Sequence, residues 1–350
     1  MSTAPELVDI LPGHRFDVDA LRDYLRGKVE GVDESFSIKQ FQGGQSNPTF
    51  LITAGSRRYV LRKKPPGKLL PKAHQIEREY KVMNALRDTD VPVPNMQLLC
   101  EEEGIIGTPF YVMNFLDGRV MSQPELPEVD KAERRPLFES LADTLARLHN
   151  VDWKAVGLED FGRPEGYVAR QVHRWSKQYE ASKTDEIPAM ENLMKWLGEN
   201  IPAEDETAIA HGDYRHGNVI FHSERPEVIA VLDWELATLG HPLADLAYFC
   251  MPYHLPHGAP AVRGLLGIDL EEQGLPSEEE VLEIYRKRAG RADIPHWRFF
   301  LAFSMFRIAA ILQGVYARAL QGNASNADAL KVGGGAATLA EAGWDLAQKA

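Results

Sequence analysis

The stretch His211-Gly212-Asp213-Tyr214-Arg215-His216-Gly217-Asn218, followed by Val231-Leu232-Asp233-Trp234-Glu235, decides how this chain is read. The apolar runs AIA before the first segment and VIAVL into the second read as short strands ending in loops. A loop opening at Asp213 presents a carboxylate able to take a proton from a hydroxyl. Asn218 returns a neutral amide oxygen to the same loop, and Asp233 adds a second carboxylate at a strand end. One carboxylate with one amide oxygen is a hard-oxygen pair suited to magnesium, which keeps waters and takes further ligands from phosphates. A base beside such a pair is what phosphoryl transfer needs, because catalysis there is mostly positioning and charge neutralisation. HGD…N alone also reads as a hydrogen-bonded Asx-turn loop, and it is the strand-borne Asp233 that favours a site. Histidines 211, 216 and 222 lack the HExxH spacing, which disfavours a zinc hydrolase.

Upstream of this segment, residues 17–30 place Leu21, Tyr24 and Leu25 at helical spacing. SFSIKQF, TFLITA and RRYVLRKK read as three antiparallel strands, joined by GGQSNP and by the Gly55-Ser56 turn. A helix is expected over 75–87, with Ile76, Tyr80 and Met83 on one face, followed by strands at MQLLCEE and PFYVMNFL. From Lys131 onward the pattern is helical, with candidates near 134–149, 167–182, 188–200, 242–252, 277–290, 294–320 and 336–349. The expected class is therefore α+β: a β-rich part over 1–116 with a leading helix, and a mainly helical part over 117–350.

The chain has 350 residues, 51 acidic against 39 basic, and a formal charge of −12. That balance disfavours nucleic acid as a partner, since phosphate neutralisation needs a broad basic face. Cys100 and Cys250 are too few for a disulfide framework and form no CxxC pair. The N-terminal residues lack a basic segment followed by an apolar one, so no secretory signal is read. Phe299 to Leu312 is interrupted by Ser304 and Arg307 and reads as a core helix, not a membrane span. A cytoplasmic protein without membrane or nucleic-acid partners is the expectation, with oligomeric state open. Against the acidic background, seven basic residues and no acidic one fall between Arg57 and Lys72. They read equally as a solvated strand edge or as a rim attracting Mg-ATP or the phosphates of a coenzyme A ester.

HGDYRHGN with LDWE resembles the catalytic segment of the aminoglycoside phosphotransferase and choline kinase-like family, over about residues 30–320. More narrowly, HGDYRHGN together with YVLRKKPPG resembles the phosphotransferase-like segment fused to certain eukaryotic acyl-CoA dehydrogenases; nothing resembles their flavin-binding part. The resemblance implies a protein-kinase-like fold of two lobes, a small β-rich one with one helix and a larger helical one. It makes Asp213 the catalytic base, Asn218 and Asp233 magnesium ligands, His211 a loop brace and Asp245 a support of the catalytic loop. Asp245 also reads as a first-turn acid favoured by the helix dipole.

GGQSN resembles the family's phosphate-covering turn, where Ser46 would add a hydroxyl, although it is not GxGxxG and a plain hairpin turn is the favoured reading of these residues alone. Arg62 stands where the family has its phosphate-contacting lysine, and Lys64, two residues on along the same strand face, is the fallback. Of two candidate partners for Arg62, Glu79 lies along the buried face of its helix, while Glu77 reads as a solvated i,i+4 partner of Lys81. PFYVMNFLDG resembles the lobe-connecting hinge, with Met113 beside the adenine and the backbone of Asn114, Phe115 and Leu116 bonding to it.

The implied activity is ATP- and magnesium-dependent transfer of the γ-phosphoryl group to a hydroxyl of a small molecule. DWE in place of DFG, with no APE-type motif after it, disfavours a protein acceptor. Arg215 and His216 beside the base suit an anionic acceptor, such as a hydroxy acid or hydroxyacyl-CoA, and Arg307 in its apolar helix would meet a substrate carboxylate or phosphate. An aminoglycoside or choline-type kinase, and a nucleotide-binding regulatory module without turnover, are the alternatives.

Overall fold

The computed structural model describes residues 6–42, 47–67, 74–258, 263–322 and 329–350. In chain order the first elements are β1 (Leu7–Val8), α1 (Val18–Leu25), β2 (Phe36–Phe41), β3 (Thr49–Ala54), β4 (Arg57–Lys63) and α2 (Ile76–Leu86). Next come β5 (Met96–Cys100), the single turn α3 (Glu103–Ile106), β6 (Phe110–Asn114), β7 (Gly118–Arg119), α4 (Lys131–Asn150), α5 (Tyr167–Ser182) and α6 (Pro188–Glu199). The short strands β8 (Ala208–Ala210), β9 (Val219–His222), β10 (Val228–Val231) and β11 (Thr238–Gly240) follow. Helices α7 (Pro242–Cys250), α8 (Glu278–Arg288), α9 (Trp297–Leu320), α10 (Ala329–Gly333) and α11 (Ala336–Ala347) complete the chain.

Two compact units result. The first comprises Met1–Val120, Val156–Leu158 and Asn218–Ala237; the second takes the remainder. The first unit is built on an antiparallel sheet in the order β1-β2-β3-β4-β6-β5. Gly55, at φ 58°, closes the β3–β4 turn in a conformation that glycine adopts without steric cost. Alternation along β4 sends Tyr59, Leu61 and Lys63 to one face and Val60, Arg62 and Lys64 to the other. The first face joins Leu21, Leu25, Phe50 and Phe110 in the core. Helix α2 packs against β5, β6 and the turn Trp234–Leu236.

Residues 218–237 correct the expected division at 116/117, which placed them with the helical part. Their hairpin β9–β10 is clipped to β7 in a three-stranded sheet, and the Val231 N–H donates to Pro92 O at 2.8 Å. Local pattern shows two strands there, while their partners lie about a hundred residues earlier in the chain.

In the second unit α9 is the central helix, packing against α5, α6, α7, α10 and α11. By length and composition it could cross a membrane, yet 78% of its most apolar window is buried inside the protein. A helix apolar all round is one that a core surrounds. Helix α8 starts with a reciprocal capping box between Ser277 and Glu280. Helix α7 begins with Pro242 in its first turn, and the His241 ring accepts the Leu243 N–H.

Candidate active site

In the first unit the outward face of β4 carries an ion-pair ladder. Arg62 Nε lies 3.2 Å from Glu79 Oε2, and its Nη2 donates to Asp233 Oδ1 at 2.9 Å. Glu79 is 1% exposed and is held from two further sides: Asn47 Nδ2 donates to Oε1 and Tyr111 OH to Oε2, each at 3.0 Å. Burial pushes the Glu79 carboxyl up to about 7, against the pull of the Arg62 charge. Both of its oxygens nevertheless accept hydrogen bonds, as an ionised carboxylate does. Burial acts to lower the Arg62 guanidinium, but Tyr111 and the carboxylates of Glu79 and Asp233 outweigh it and keep the group charged.

Glu77 was expected to face Lys81. From the first turn of α2 it pairs with Lys64 Nζ at 2.9 Å, just beyond the end of β4. Glu79→Gln is expected to lower turnover about tenfold more than Glu77→Gln, since a buried charged partner is missed more than a half-exposed one. Steady-state rates of the two variants check this, and the reverse order would make Lys64–Glu77 the working pair.

Asn47 and Tyr111 were not singled out in the sequence. Asn47 ends GGQSN, and its Oδ1 also meets His74 Nδ1 at 3.0 Å. Ser46 lies outside the described residues.

Of the two readings of the basic run, the described residues favour the strand edge. Arg57 pairs with Glu30, Arg58 with Asp117, and Arg62 and Lys64 as above. Lys63 turns inward, 2% exposed, with its ammonium over the Phe16 ring. Lys68 and Lys72 lie outside the described residues. Each described charge of the run is thus matched by an acid or withdrawn from the surface, and the open cationic rim is not found there.

At the expected hinge, Met113 is buried in β6. The Asn114 and Phe115 N–H groups donate to Asn95 O and Arg58 O, so neither is spare for a base; the Leu116 N–H makes no backbone bond among the described residues. The Phe115 ring stacks on Phe41 beneath the Arg58 guanidinium.

Asn218 and Asp233 belong to the same unit. The Leu232 N–H donates to Asn218 O at 2.8 Å, which seats the two loops side by side. Asp233 takes the left-handed conformation, φ 63° and ψ 57°, unusual for a residue with a Cβ and frequent at functional positions. Among the described residues no group of three or more His, Cys, Asp or Glu could hold a metal ion. One carboxylate and one amide are too few for an all-protein cage, but they fit an ion that arrives on phosphate oxygens.

The second unit holds the loop itself. Asp245, 2% exposed on α7, accepts the His211 N–H at 2.5 Å and the Gly212 N–H at 2.8 Å. His149 Nε2 lies 3.5 Å from Asp245, and its Nδ1 meets Tyr285 OH at 2.7 Å. The His211 ring accepts the Asp213 N–H at 3.2 Å, and Tyr214 OH donates to Leu141 O. Gly212, at φ 83°, makes the sharp turn before Asp213. Asp213 Oδ1 receives the Tyr248 hydroxyl at 2.5 Å, with Arg215 Nε at 3.5 Å.

Two expected substrate groups behave differently. Arg307 Nη2 donates to Gly212 O at 2.6 Å, so the loop backbone is one partner of this buried guanidinium, while its Nε has no hydrogen-bond partner among the described residues. His216 is 5% exposed between the Phe138 and Phe249 rings. Burial, helped by the Arg215 charge, pushes its imidazole down to about 3, so it brings no positive charge to an acceptor. Burial likewise lowers His241 to about 4. Unfolded histidines titrate near 6.5, so the unfolded chain binds more protons between that value and the folded ones. Stability then falls as pH drops below about 6.5, by about 2 kcal/mol per group at pH 5. Melting temperatures from pH 7 to 5 check this, and His216→Gln is expected to flatten the slope.

Beside the loop lies a cavity of about 280 Å³, whose lining includes Arg215, His216, Tyr248, Arg263, Ile308 and Leu312.

Comparison with known proteins places this geometry. The family model described as "Phosphotransferase enzyme family" matches residues 37–284. The mouse acyl-CoA dehydrogenase family member 10 is 46% identical over 333 residues, covering 95% of this chain and 31% of that protein. Human member 11 is 44% identical over 350 residues, covering 98% and 45%. The chain thus spans less than half the length of these relatives. A crystal structure from Ralstonia eutropha, provisionally named an aminoglycoside phosphotransferase, is 47% identical with a TM-score of 0.88, covering 96% of this chain and 99% of that one. Choline kinase from Cryptosporidium parvum, at 15% identity and a TM-score of 0.63 over 95% and 97% of the two chains, shares the kinase-like fold.

Proposed function

The chain belongs to the phosphotransferase enzyme family, and on that premise we propose that it transfers the γ-phosphoryl group of Mg-ATP to a hydroxyl of a small anionic acceptor, a hydroxy acid or a hydroxyacyl-CoA ester. The first unit handles the nucleotide through Arg62, Lys64 and Glu79. Asn218 and Asp233 would hold magnesium, which supplies charge neutralisation on the phosphates when bound. In the second unit Asp213 takes the proton of the acceptor hydroxyl as that oxygen bonds to phosphorus and the bridging oxygen leaves with ADP.

The observation that carries the choice of acceptor is the lining of the cavity. Arg215 and Arg263 give it cationic groups, Met251, Ile308 and Leu312 give it apolar walls, and none of its lining residues is acidic. Arg263 has no carboxylate partner among the described residues. A polycationic aminoglycoside would meet like charge there, whereas an acid with a short apolar body meets its complement.

Phosphoryl transfer from Mg-ATP, measured across hydroxy acids, their coenzyme A esters and aminoglycosides, tests the proposal. Turnover of the acids or esters is expected, and Arg263→Ala is expected to raise the acceptor KM about tenfold with kcat unchanged. Transfer to aminoglycosides alone, or to nothing on the panel, would overturn it.

A further inference from the structure

Asp245 and Tyr248 stand three residues apart on α7, so both side chains leave the same helix face. They do different work on the loop. Asp245 grips its backbone through the His211 and Gly212 amides, while Tyr248 reaches the side chain of Asp213. Arg307, from α9, secures the Gly212 carbonyl and lies 5.9 Å from the Tyr248 ring. Backbone bracing by itself does not orient a carboxylate, whose terminal torsion is broad and two-fold. A donor fixed on one oxygen removes that freedom.

We propose that Tyr248 is a positioning residue for the base: its phenol sets the rotation of the Asp213 carboxylate towards the acceptor hydroxyl. The proposal rests on the reading of Asp213 as base. Tyr248 also lines the cavity, so base orientation and acceptor site share one side chain. Burial, together with the neighbouring Asp213 charge, raises the phenol far above its ordinary value, so it stays a donor throughout the working pH range. Arg215 approaches the same oxygen, but its side chain is 48% exposed and its hold is weakened by solvent. The phenol also has a cost, because a donated hydrogen bond weakens a base. Its benefit must therefore be geometric, and this gives the test its sign.

Tyr248→Phe removes one oxygen and keeps the ring. With Mg-ATP and an acceptor that the wild type phosphorylates, kcat is expected to fall about 10- to 100-fold while both KM values stay put. Tyr248→His, whose ring N–H can donate, should recover part of the rate, which also covers the case of a Tyr248→Phe that folds poorly. Asp213→Asn is measured in parallel. Should Asp213→Asn be inactive while Tyr248→Phe keeps or exceeds wild-type kcat, or changes only KM, the positioning role is overturned and the base assignment stands. Full activity in Asp213→Asn would remove the base assignment and the Tyr248 role together.

Discussion

Replacing Asp213 by asparagine is expected to slow phosphoryl transfer about a thousandfold while leaving the melting temperature close to that of the wild type. The substitution keeps the size of the side chain and an oxygen that can still accept the Tyr248 hydroxyl. The Asp213 N–H and the loop backbone keep their own partners, the His211 ring and Asp245. What is lost is the carboxylate that receives the hydroxyl proton. Initial rates at saturating Mg-ATP measure the loss. A decrease below tenfold would move the base elsewhere, and a large fall in melting temperature would make Asp213 structural.

Asp245→Ala carries the second large effect, on stability. Truncation leaves the His211 and Gly212 amides without their acceptor in a buried site, and removes the carboxylate facing His149. Orphaned buried donors cost about 1–3 kcal/mol each, so a total of about 3–5 kcal/mol is expected. Denaturant midpoints report it, and Asp245→Asn, which keeps one accepting oxygen, should cost roughly half. The pH dependence has a definite sign. Burial acts to raise the Asp245 carboxyl, but the hydrogen bond and charge of His149, with the Gly212 amide, outweigh it and hold the group below the usual carboxylate range. Its contribution is therefore complete above about pH 4 and lost as pH falls through the lower folded value. Asp245→Asn should flatten the acid limb there, separately from the histidine-linked fall that starts near pH 6.5.

Much of this architecture is legible in local pattern. The alternation in RRYVLRKK puts Arg62 and Lys64 on one face, and the phase of the following helix puts Glu79 on its buried side; the structure places these residues accordingly. HGDYRHGN and LDWE fall on loops bounded by short strands, as their flanking residues indicate. Periodicity does not report which distant element receives a side chain. Spacing along the helix offers only Lys81 as a partner of Glu77, and the pairing with Lys64, from the neighbouring strand, comes from tertiary packing. Arg307 reads as a charge in need of a partner, and local pattern gives no sign that the Gly212 carbonyl lies beside it. Tyr248 and Asn47 look like an ordinary helix tyrosine and an ordinary turn asparagine, because their roles arise from long-range meetings with Asp213 and Glu79. Charge counting along the chain misleads at Arg57–Lys64 for the same reason: the neutralising acids come from Glu30, Asp117, Glu79 and Asp233.

The membership of residues 218–237 in the first unit bears on how the protein is made. Synthesis runs from the N-terminus, so the six-stranded sheet emerges from the ribosome long before the hairpin that docks on β7, and α4 to α6 appear in between. Until Ala237 is out, the nascent sheet lacks part of its own packing and must hold an incomplete structure while other helices form. Nascent chains stalled before Asn218 should therefore be protease-sensitive within β2 to β6, and chains stalled well past Ala237 should be protected.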